Sequence, residues 1–452
     1  MLKVRTEFFE HEKTLKFPLV LINREDSSCG YLPFSRRPQP FIHGAGPQLG
    51  ELAAFPRLLG VRDPLSEVVA LAQRWDLKGR GGAGFPFALK LQAVAESSSR
   101  LIRPAVVINA TESEPLSFKD RFLLTYYLDL VLEGAVLCAR ALRGTCVYLV
   151  THDDTERSAG LMESVKRFSK VVGVKIEVVL TPPALVSGQE TSVVAAVNGE
   201  SKPVPRMQPP RVSVSGVRGR PTLLSNAETY ARLSQANRIE RRDGTGDKSA
   251  SLPYLGTVHL KTGESYIVEV DSSQSVSDIF DVLRAPLNES SIYLVGGYFG
   301  RWFRGDDQRM RTPISVPKKD QGIGFGGGLL VEVDRQSCLG GEVAFVSRWL
   351  SQQSALQCGP CKHGLPQVAD EFERLVVGKS GDIEKVLRWT SQIRGRGGCS
   401  LPDSVCDLME SFSETVPEEI RAHQSGTCQL PYLHQFEGLH GSFHGGPNLN
   451  GT

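Results

Sequence analysis

The sequence predicts an α/β protein whose mostly parallel sheet is followed by a small α+β module and a helical C-terminal domain. Short apolar runs rich in β-branched residues, at 105–110 and 146–152, are typical of buried strands. Helical patterns alternate with such runs up to about residue 245, which is the order of a parallel sheet covered by helices. Further along, helical patterns dominate.

These patterns divide the chain into five parts. Residues 1–60 are rich in proline, glycine and isolated charges, which predicts an irregular N-terminal extension. The α/β domain spans 61–245, the small module with three strand patterns spans 246–325, and the helical domain spans 335–425. The Gly/His-rich tail 429–452 is predicted to be disordered.

Composition excludes several classes of function. A net charge of +2 over 452 residues gives no general attraction to nucleic acid or to an anionic membrane. Nine cysteines without dense spacing favour a reducing compartment, so we expect a cytoplasmic protein. No secretory signal, membrane-length apolar run, Walker motif, zinc-protease helix or Ser-His-Asp order is present.

The glycine-rich stretch "LKGRGGAGFPFALKL" at 77–91 is the strongest loop motif. Its glycines allow close backbone approach and positive φ, and Arg80 and Lys90 add positive charge. Such a loop before a helix can bind phosphate through backbone N–H groups. A tight surface turn explains the same glycines, and the spacing is not that of Walker A.

Polar residues follow the first predicted strand in "VINATESEPLSFKDR", at 107–121. Asn109, Glu112 and Glu114 would lie at the carboxyl end of that strand, where open α/β sheets bind ligands. A solvated acidic loop is the alternative. The segments 186–192 and 221–233 place small and amide residues before a helix in the same way.

Three cysteines of the helical domain lie in tight turns, Cys358 and Cys361 in "CGPC" and Cys399 in "GRGGCS". They could bind zinc, with His363 as a fourth ligand, or an iron–sulfur cluster. A redox dithiol is less well supported, because no thioredoxin-like strand precedes the pair. Buried inert thiols are the remaining alternative.

Together these motifs resemble the NADH-binding flavoprotein subunit (51 kDa-type) of respiratory complex I and related hydrogenases and formate dehydrogenases. The resemblance covers about 65–415 and rests on "GRGGAGFP", "ESEPLSFKDR", "GQETS", "PTLLSNAET" and the cysteine turns. It implies a Rossmann-like FMN domain, a β-grasp module of the SLBB type and a helical bundle that holds a [4Fe–4S] cluster.

The resemblance also implies site residues, matched by position. In the family, carboxylates matching Glu114 and Glu190 lie near the nicotinamide, and a ring matching Phe85 packs against the dinucleotide. Leu401 is expected to close the flavin pocket. The other implied cofactor contacts are Gly79, Arg80, Gly81, Gly82, Lys90, Asn109, Glu112, Ser113, Gly188, Asn226 and Thr229.

The cluster loop departs from the family, because Ala355 replaces the first cysteine ligand. The matching ligands are Cys358, Cys361 and Cys399. Four outcomes stay open: a three-cysteine cluster with a labile or [3Fe–4S] corner, a substitute ligand, a different metal, or no cluster. Cys338 and Cys406 are the substitutes considered.

The dinucleotide pocket departs as well. Thr111 replaces an aspartate, Leu185 a tyrosine, Gln208 a lysine and Arg211 an adenine-stacking phenylalanine. Arg211 could stack on adenine or pair with a phosphate, which makes NADPH conceivable.

The expected function is therefore that of a flavin oxidoreductase subunit that passes electrons from NAD(P)H through FMN to an iron–sulfur cluster or a partner ferredoxin. The partner would be a ferredoxin-like or [2Fe–2S] subunit of a multi-subunit oxidoreductase, because no second four-cysteine set is present. The alternatives are an electron-transfer flavoprotein that no longer oxidises NADH and a non-catalytic scaffold.

Overall fold

A computed structural model describes residues 63–441, apart from 153–154, 201–204, 206–209, 244–251, 315–322 and 379. The predicted irregular extension, residues 1–60, lies outside these ranges. Two sheets and a helical bundle make up the described chain.

The first sheet is parallel throughout and has the strand order β3-β2-β1-β4. This is the order of the first four strands of a Rossmann fold, which confirms the predicted fold class. The strands are β1 Ala105–Ala110, β2 Cys146–His152, β3 Lys175–Thr181 and β4 Thr222–Asn226. The helices of this unit are α1 Pro64–Arg74, α2 Phe87–Glu96, α3 Lys119–Tyr126, α4 Leu128–Ala141, α5 Thr155–Val172, α6 Glu190–Val197 and α7 Ala227–Asp243.

The strand order reverses direction at β1. The chain runs outward through β2 and β3, then returns to place β4 on the other side of β1. In open α/β sheets the crevice outside the carboxyl ends of the strands at such a switch point binds the ligand. The fold therefore puts its expected binding site where β1 and β4 end.

The second sheet is mixed and has the order β6-β5-β9-β7-β8, with β5 and β9 parallel at its centre. The order 2-1-5-3-4 within the module is that of a β-grasp sheet. Its strands are β5 Tyr254–His259, β6 Ser265–Val270, β7 Ile292–Val295, β8 Arg301–Arg304 and β9 Leu329–Val333, and its helix is α8 Val276–Val282. The central strand β9 lies beyond residue 325, so the module extends further than the sequence indicated.

The helical domain packs directly on this second sheet. Ile292 and Leu294 of β7 face the helices, and the alternating Tyr293 and Val295 face the core of the β-grasp module. The helices are α9 Leu339–Gln352, α10 Leu365–Val376, α11 Ile383–Ile393, α12 Leu401–Thr415, α13 Pro417–Gln424 and α14 Gln435–Gly441. One turn of π-helix, Pro360–Gly364, precedes α10.

The predicted disorder of the tail from 429 is wrong for residues 429–441. Phe436 is fully buried against Trp302 and Tyr298, and the Glu342 carboxylate accepts hydrogen bonds from the backbone N–H groups of Gln435 and Phe436. The buried Phe436 ring and the hydrogen bonds to Glu342 order this segment despite its Gly/His-rich composition. Residues 442–452 lie outside the described ranges.

Within the described ranges, no single helix has both the length and the apolar composition needed to cross a membrane. The pair α3 and α4, bent by 93°, passes that test only when its two helices are taken together.

Candidate functional site

Two amides meet at the switch point. Asn109 of β1 and Asn226 at the end of β4 are paired in register. The Asn226 Nδ2 donates to the Asn109 carbonyl at 3.2 Å, and the Asn109 Nδ2 donates to the Gly188 carbonyl at 2.9 Å. The segments around 109, 188 and 226, which are far apart in the sequence, thus converge on one edge of the sheet.

A buried ionic network holds Asn226. The Lys119 Nζ donates to the Asn226 Oδ1 at 2.8 Å and contacts the carboxylates of Asp120 at 3.0 Å and Glu228 at 3.4 Å. The Asn226 Nδ2 also donates to Asp120 at 2.7 Å. Burial lowers the pKa of Lys119, but the two carboxylates outweigh it and leave that pKa raised. No role was predicted for Lys119, Asp120 or Glu228, although Lys119 and Asp120 lie in the "SFKDR" motif.

The glycine loop forms a tight hairpin beside this edge. The Gly79 N–H donates to the Phe85 carbonyl at 2.8 Å, and the Arg80 N–H donates to the Thr229 Oγ1 at 3.0 Å. Gly82 has φ +96°, and a Cβ placed there would lie 3.6 Å from the backbone of Gly327 in an opposing glycine turn. Gly81 lies equally close to Asn226, where an added Cβ would be 3.7 Å from the asparagine Cβ. The loop therefore presents backbone rather than side chains at the switch point.

Arg80 is the buried cation of this loop. Its guanidinium stacks 3.4 Å above the Tyr254 ring and donates to the Leu252 carbonyl at 2.9 Å. Burial lowers its pKa, and its Nε and Nη1 have no hydrogen-bond partner among the described atoms. Because unpaired buried donors are costly, these two nitrogens fit an acceptor-rich ligand such as a flavin phosphate.

Lys90 and Glu190 form an accessible ion pair at the same edge. The Lys90 Nζ lies 3.1 Å from the Glu190 Oε1 and donates to the Leu224 carbonyl at 2.6 Å. Both side chains are partly exposed, and the Phe85 ring is 52% exposed. All three remain open to a bound molecule.

Gly188 touches the hydroxyls that follow β1. A Cβ at Gly188 would lie 1.8 Å from the Ser113 Oγ and 2.8 Å from the Thr111 Oγ1. The two hydroxyls are 3.3 Å apart, and the Thr111 Oγ1 donates to the Asn109 Oδ1 at 2.8 Å. The absence of a side chain at 188 is what lets these segments meet.

The two carboxyls of "ESE" face different parts of the protein. Glu112 accepts hydrogen bonds from the N–H groups of Asp120 at 2.8 Å and Arg121 at 3.1 Å, at the start of α3. Burial raises its pKa to about 7. Both oxygens of Glu112 thus contact the start of α3 and hold the loop in place, and its contact with the flavin stays a prediction.

Glu114 reaches the second unit. One oxygen accepts from the Tyr298 N–H at 3.1 Å, and the Oε1 has no partner among the described atoms. Burial raises its pKa to about 8, so the carboxyl is protonated at neutral pH. This contact couples the loop after β1 to the β-grasp module.

The two turns that carry the three cysteines lie next to each other. The Gly398 N–H donates to the Cys358 sulfur, and a negative charge on Cys358 would raise the pKa of both Cys361 and Cys399. Burial raises the pKa of Cys358, but N–H groups of Gly398 and Cys361 outweigh it and leave that pKa below its ordinary value. These hydrogen bonds favour the thiolate of Cys358, whereas burial raises the pKa of Cys361 and of Cys399.

The surroundings of the cysteines fit an iron–sulfur cluster. In a cluster each thiolate binds a different iron, so the sulfurs need not converge on one point. The Leu401 N–H donates to Cys399, and its side chain is buried at the start of α12. Next to Ala355, the Ser354 Oγ is buried without a partner among the described atoms.

Each substitute cysteine has another polar contact in this structure. Cys338 lies instead against His423, with 3.2 Å between the sulfur and the imidazole Nε2. The Cys406 thiol donates to the Thr390 carbonyl at 3.2 Å and is fully buried.

Three of the four positions at which the sequence departs from the family's dinucleotide pocket lie within the described residues. Thr111 is bonded to Asn109, as described above. Leu185 is buried in the core that it shares with the helical domain, and its N–H donates to the Gln353 side chain at 3.0 Å. Arg211 is exposed. Gln208 lies outside the described residues.

Comparisons with known proteins agree with this architecture. The model of the Nuo51 FMN-binding domain matches residues 72–235, and that of the NADH-ubiquinone oxidoreductase-F iron–sulfur binding region matches 342–423. The mitochondrial NADH dehydrogenase [ubiquinone] flavoprotein 1 of Dictyostelium discoideum is 26% identical, with 79% of each chain covered. The F subunit of the NADH-quinone oxidoreductase of Rhodobacter capsulatus is 26% identical, covering 77% of this chain and 86% of its own.

A solved structure shares the fold. An NAD+-reducing [NiFe]-hydrogenase in the air-oxidized state superposes with a TM-score of 0.72 at 23% identity, covering 84% of this chain and 67% of the hydrogenase chain.

A Rossmann-like sheet with a glycine loop, a β-grasp module and a cysteine-bearing helical bundle define a flavin and iron–sulfur type of oxidoreductase subunit. The two family models together match more than half of the chain. The chain belongs to the family of the NADH-binding flavoprotein subunit of respiratory complex I, the 51 kDa type.

Proposed function

We propose that this chain is the NADH-oxidising flavoprotein subunit of a multi-subunit oxidoreductase, with FMN as its cofactor and a cluster on Cys358, Cys361 and Cys399 as the next electron carrier. The observation that carries the proposal is the Asn109–Asn226 amide pair at the switch point, bordered by the glycine loop. It lies within the region matched by the FMN-domain model.

Bound FMN would supply the conversion of a two-electron donor into single-electron transfers. The chain's own contribution is to bind and orient. Backbone at Gly79–Gly82, the charges of Arg80 and Lys90, and the amides of Asn109 and Asn226 form the cradle. Gly188 and Ser113 bring a second backbone segment against it, and Thr229 holds the loop.

Glu190 and Phe85 are proposed to contact the nicotinamide donor. Glu190 sits at the first position of α6, and its partner Lys90 fixes the direction of the carboxylate. The exposed Phe85 ring offers a face for stacking. Glu114, protonated at neutral pH, can donate a hydrogen bond without placing a buried negative charge near the electron-rich flavin.

A second candidate is an electron-transfer flavoprotein that exchanges electrons only with other proteins. The burial of Leu185 in the helical core favours it, because the family's tyrosine hydroxyl is missing there. A ferredoxin-like or [2Fe–2S] subunit is the proposed acceptor in both cases, and the reducing cytoplasm is the proposed location.

Anaerobic titration of the FMN-loaded protein separates the candidates. NADH or NADPH should bleach the flavin absorbance and support turnover with an artificial acceptor. Glu190→Gln should lower kcat/KM by roughly tenfold to a hundredfold, which corresponds to one or two lost hydrogen bonds in the transition state. A flavin that a chemical reductant bleaches but neither nucleotide does would contradict the first candidate and support the second.

A further inference from the structure

A second cluster of metal-ligating side chains lies apart from the three cysteines discussed above. The ligand atoms of Cys338, His423 and Cys428 all lie within 4.8 Å of one another. The Cys338 sulfur is 3.2 Å from the His423 Nε2. Across the ranges that the structure describes, this is the one group of three cysteine, histidine or acidic residues with this spacing.

Two helix ends bring these residues together. Cys338 is the N-cap of α9, where its sulfur accepts from the Gly341 N–H at 3.3 Å. His423 lies in the last turn of α13. Beyond it, Gly426 has φ +67°, its N–H donates to the His423 carbonyl, and the Thr427 N–H donates to the Ala422 carbonyl. This Schellman motif turns the chain back, so that Cys428 lies beside the imidazole.

A carboxylate oxygen lies beside the imidazole of this group. The Glu419 Oε1 lies 3.8 Å from the His423 Nε2, and it accepts from the Gly340 N–H at 2.7 Å. Cys338, His423 and Glu419 are each buried, and Cys428 is half-buried. A Cβ at Gly340 would lie 2.8 Å from the His423 Nε2, so glycine is needed there.

We propose that Cys338, His423 and Cys428 bind a single zinc ion, with Glu419 or a water molecule as the fourth ligand. Two sulfurs and an imidazole are a donor set that zinc prefers and that magnesium and calcium do not. Ligands about 2.0–2.3 Å from one ion in tetrahedral geometry are roughly 3.5 Å apart, which this cluster can adopt with small side-chain movements.

The ion would fasten the C-terminal segment 428–441 to the helical bundle. Cys428 begins this segment, and the Cys338 N–H donates to the Pro431 carbonyl at 2.7 Å. At the far end of the segment, the His440 Nε2 lies 2.5 Å from the Tyr298 hydroxyl. Tyr298 is the residue whose N–H contacts Glu114. Zinc therefore stabilises a segment that braces the turn beside the proposed flavin site.

The test is elemental analysis of the full chain, purified without a histidine tag and counted for zinc and iron together. We expect about one zinc per chain, a value that follows from the single group of ligands. Cys428→Ser should lower the zinc content at least tenfold, because it removes a thiolate from a half-buried position and leaves the helices intact. The matched control Cys406→Ser should keep the zinc, since Cys406 is a buried cysteine that hydrogen-bonds to the Thr390 carbonyl and is not a member of the ligand group.

Cobalt(II) titration of chelator-treated wild-type protein gives a readout that needs no substitution. Thiolate-to-metal charge-transfer bands should appear in the wild type and weaken in Cys428→Ser, and the segment 428–441 should become more sensitive to protease after chelation. Zinc-free protein that binds no cobalt, or a zinc content unchanged by Cys428→Ser, would overturn the proposal. So would a Cys338–Cys428 disulfide found by mass spectrometry in protein purified under reducing conditions.

Discussion

Gly188 offers a quantitative test of the geometry at the switch point. In Gly188→Ala the new Cβ would lie 1.8 Å from the Ser113 Oγ and 2.8 Å from the Thr111 Oγ1, whereas ordinary contact begins at 3.4 Å. Ser113 can rotate away, but only by giving up its place against Thr111. Overpacking of this kind costs about 1–3 kcal/mol. The free protein relieves this strain by moving the Gly188 and Ser113 segments apart, so restoring the flavin-binding shape costs energy, and at 1.4 kcal/mol per tenfold in a dissociation constant we expect FMN affinity to fall roughly tenfold.

Fluorescence quenching of free FMN measures this affinity, and thermal unfolding measures the stability. The matched variant is Gly188→Ala/Ser113→Ala, which removes the closest clashing atom. The double variant should recover about 1 kcal/mol relative to the sum of the single substitutions, since the two residues are in contact. Gly188→Ala with wild-type FMN affinity and stability would refute the reasoning, as would additive effects in the double variant.

Three further predictions concern the carboxyl, the amide and the cysteines. Because the folded pKa of Glu114 is raised to about 8, its protonated form stabilises the protein at low pH, and that contribution is lost as the pH rises from about 5 to 8. Its upper limit is about 1.4 kcal/mol per pH unit, so Glu114→Gln should flatten the pH dependence of unfolding, and an unchanged profile would contradict the assignment. Asn226→Ala should lower the free energy of unfolding by about 2–4 kcal/mol, because it removes the amide that hydrogen-bonds to both Lys119 and Asp120 inside a buried network, and a clearly smaller loss in denaturant unfolding would contradict that role. Cys358→Ser should lower the iron content severalfold under anaerobic conditions whereas Cys406→Ser should not, and equal iron in both would contradict the proposed ligand set.

Local patterns predicted part of the first sheet accurately, whereas Thr222–Asn226 was not predicted as a strand. The runs 105–110 and 146–152 are strands to the residue, because buried parallel strands are short, continuous and rich in β-branched side chains. The strand Leu329–Val333 was missed, because its five residues directly follow a glycine run and lie past the boundary drawn at 325. Its assignment depends on pairing with β5 and β7, which no local pattern records.

The site was predictable where motifs carry it and not where distant segments meet. Asn109, Asn226 and the glycine loop lie together as their motifs indicated. The partner of Glu114 could not be predicted, because Tyr298 comes from the other sheet's turn. The Cys338–His423–Cys428 cluster was equally hidden, since 85 residues separate its first two members.

The central claim is that this chain binds FMN and an iron–sulfur cluster together. Anaerobic purification followed by flavin and iron counts per chain tests it most directly. We expect one FMN and about 3–4 irons, the range for a cluster on three cysteines with or without its fourth iron. Flavin without iron would mean that the chain no longer binds a cluster, because Ala355 replaces its first cysteine ligand. A chain that retains neither group would contradict the account.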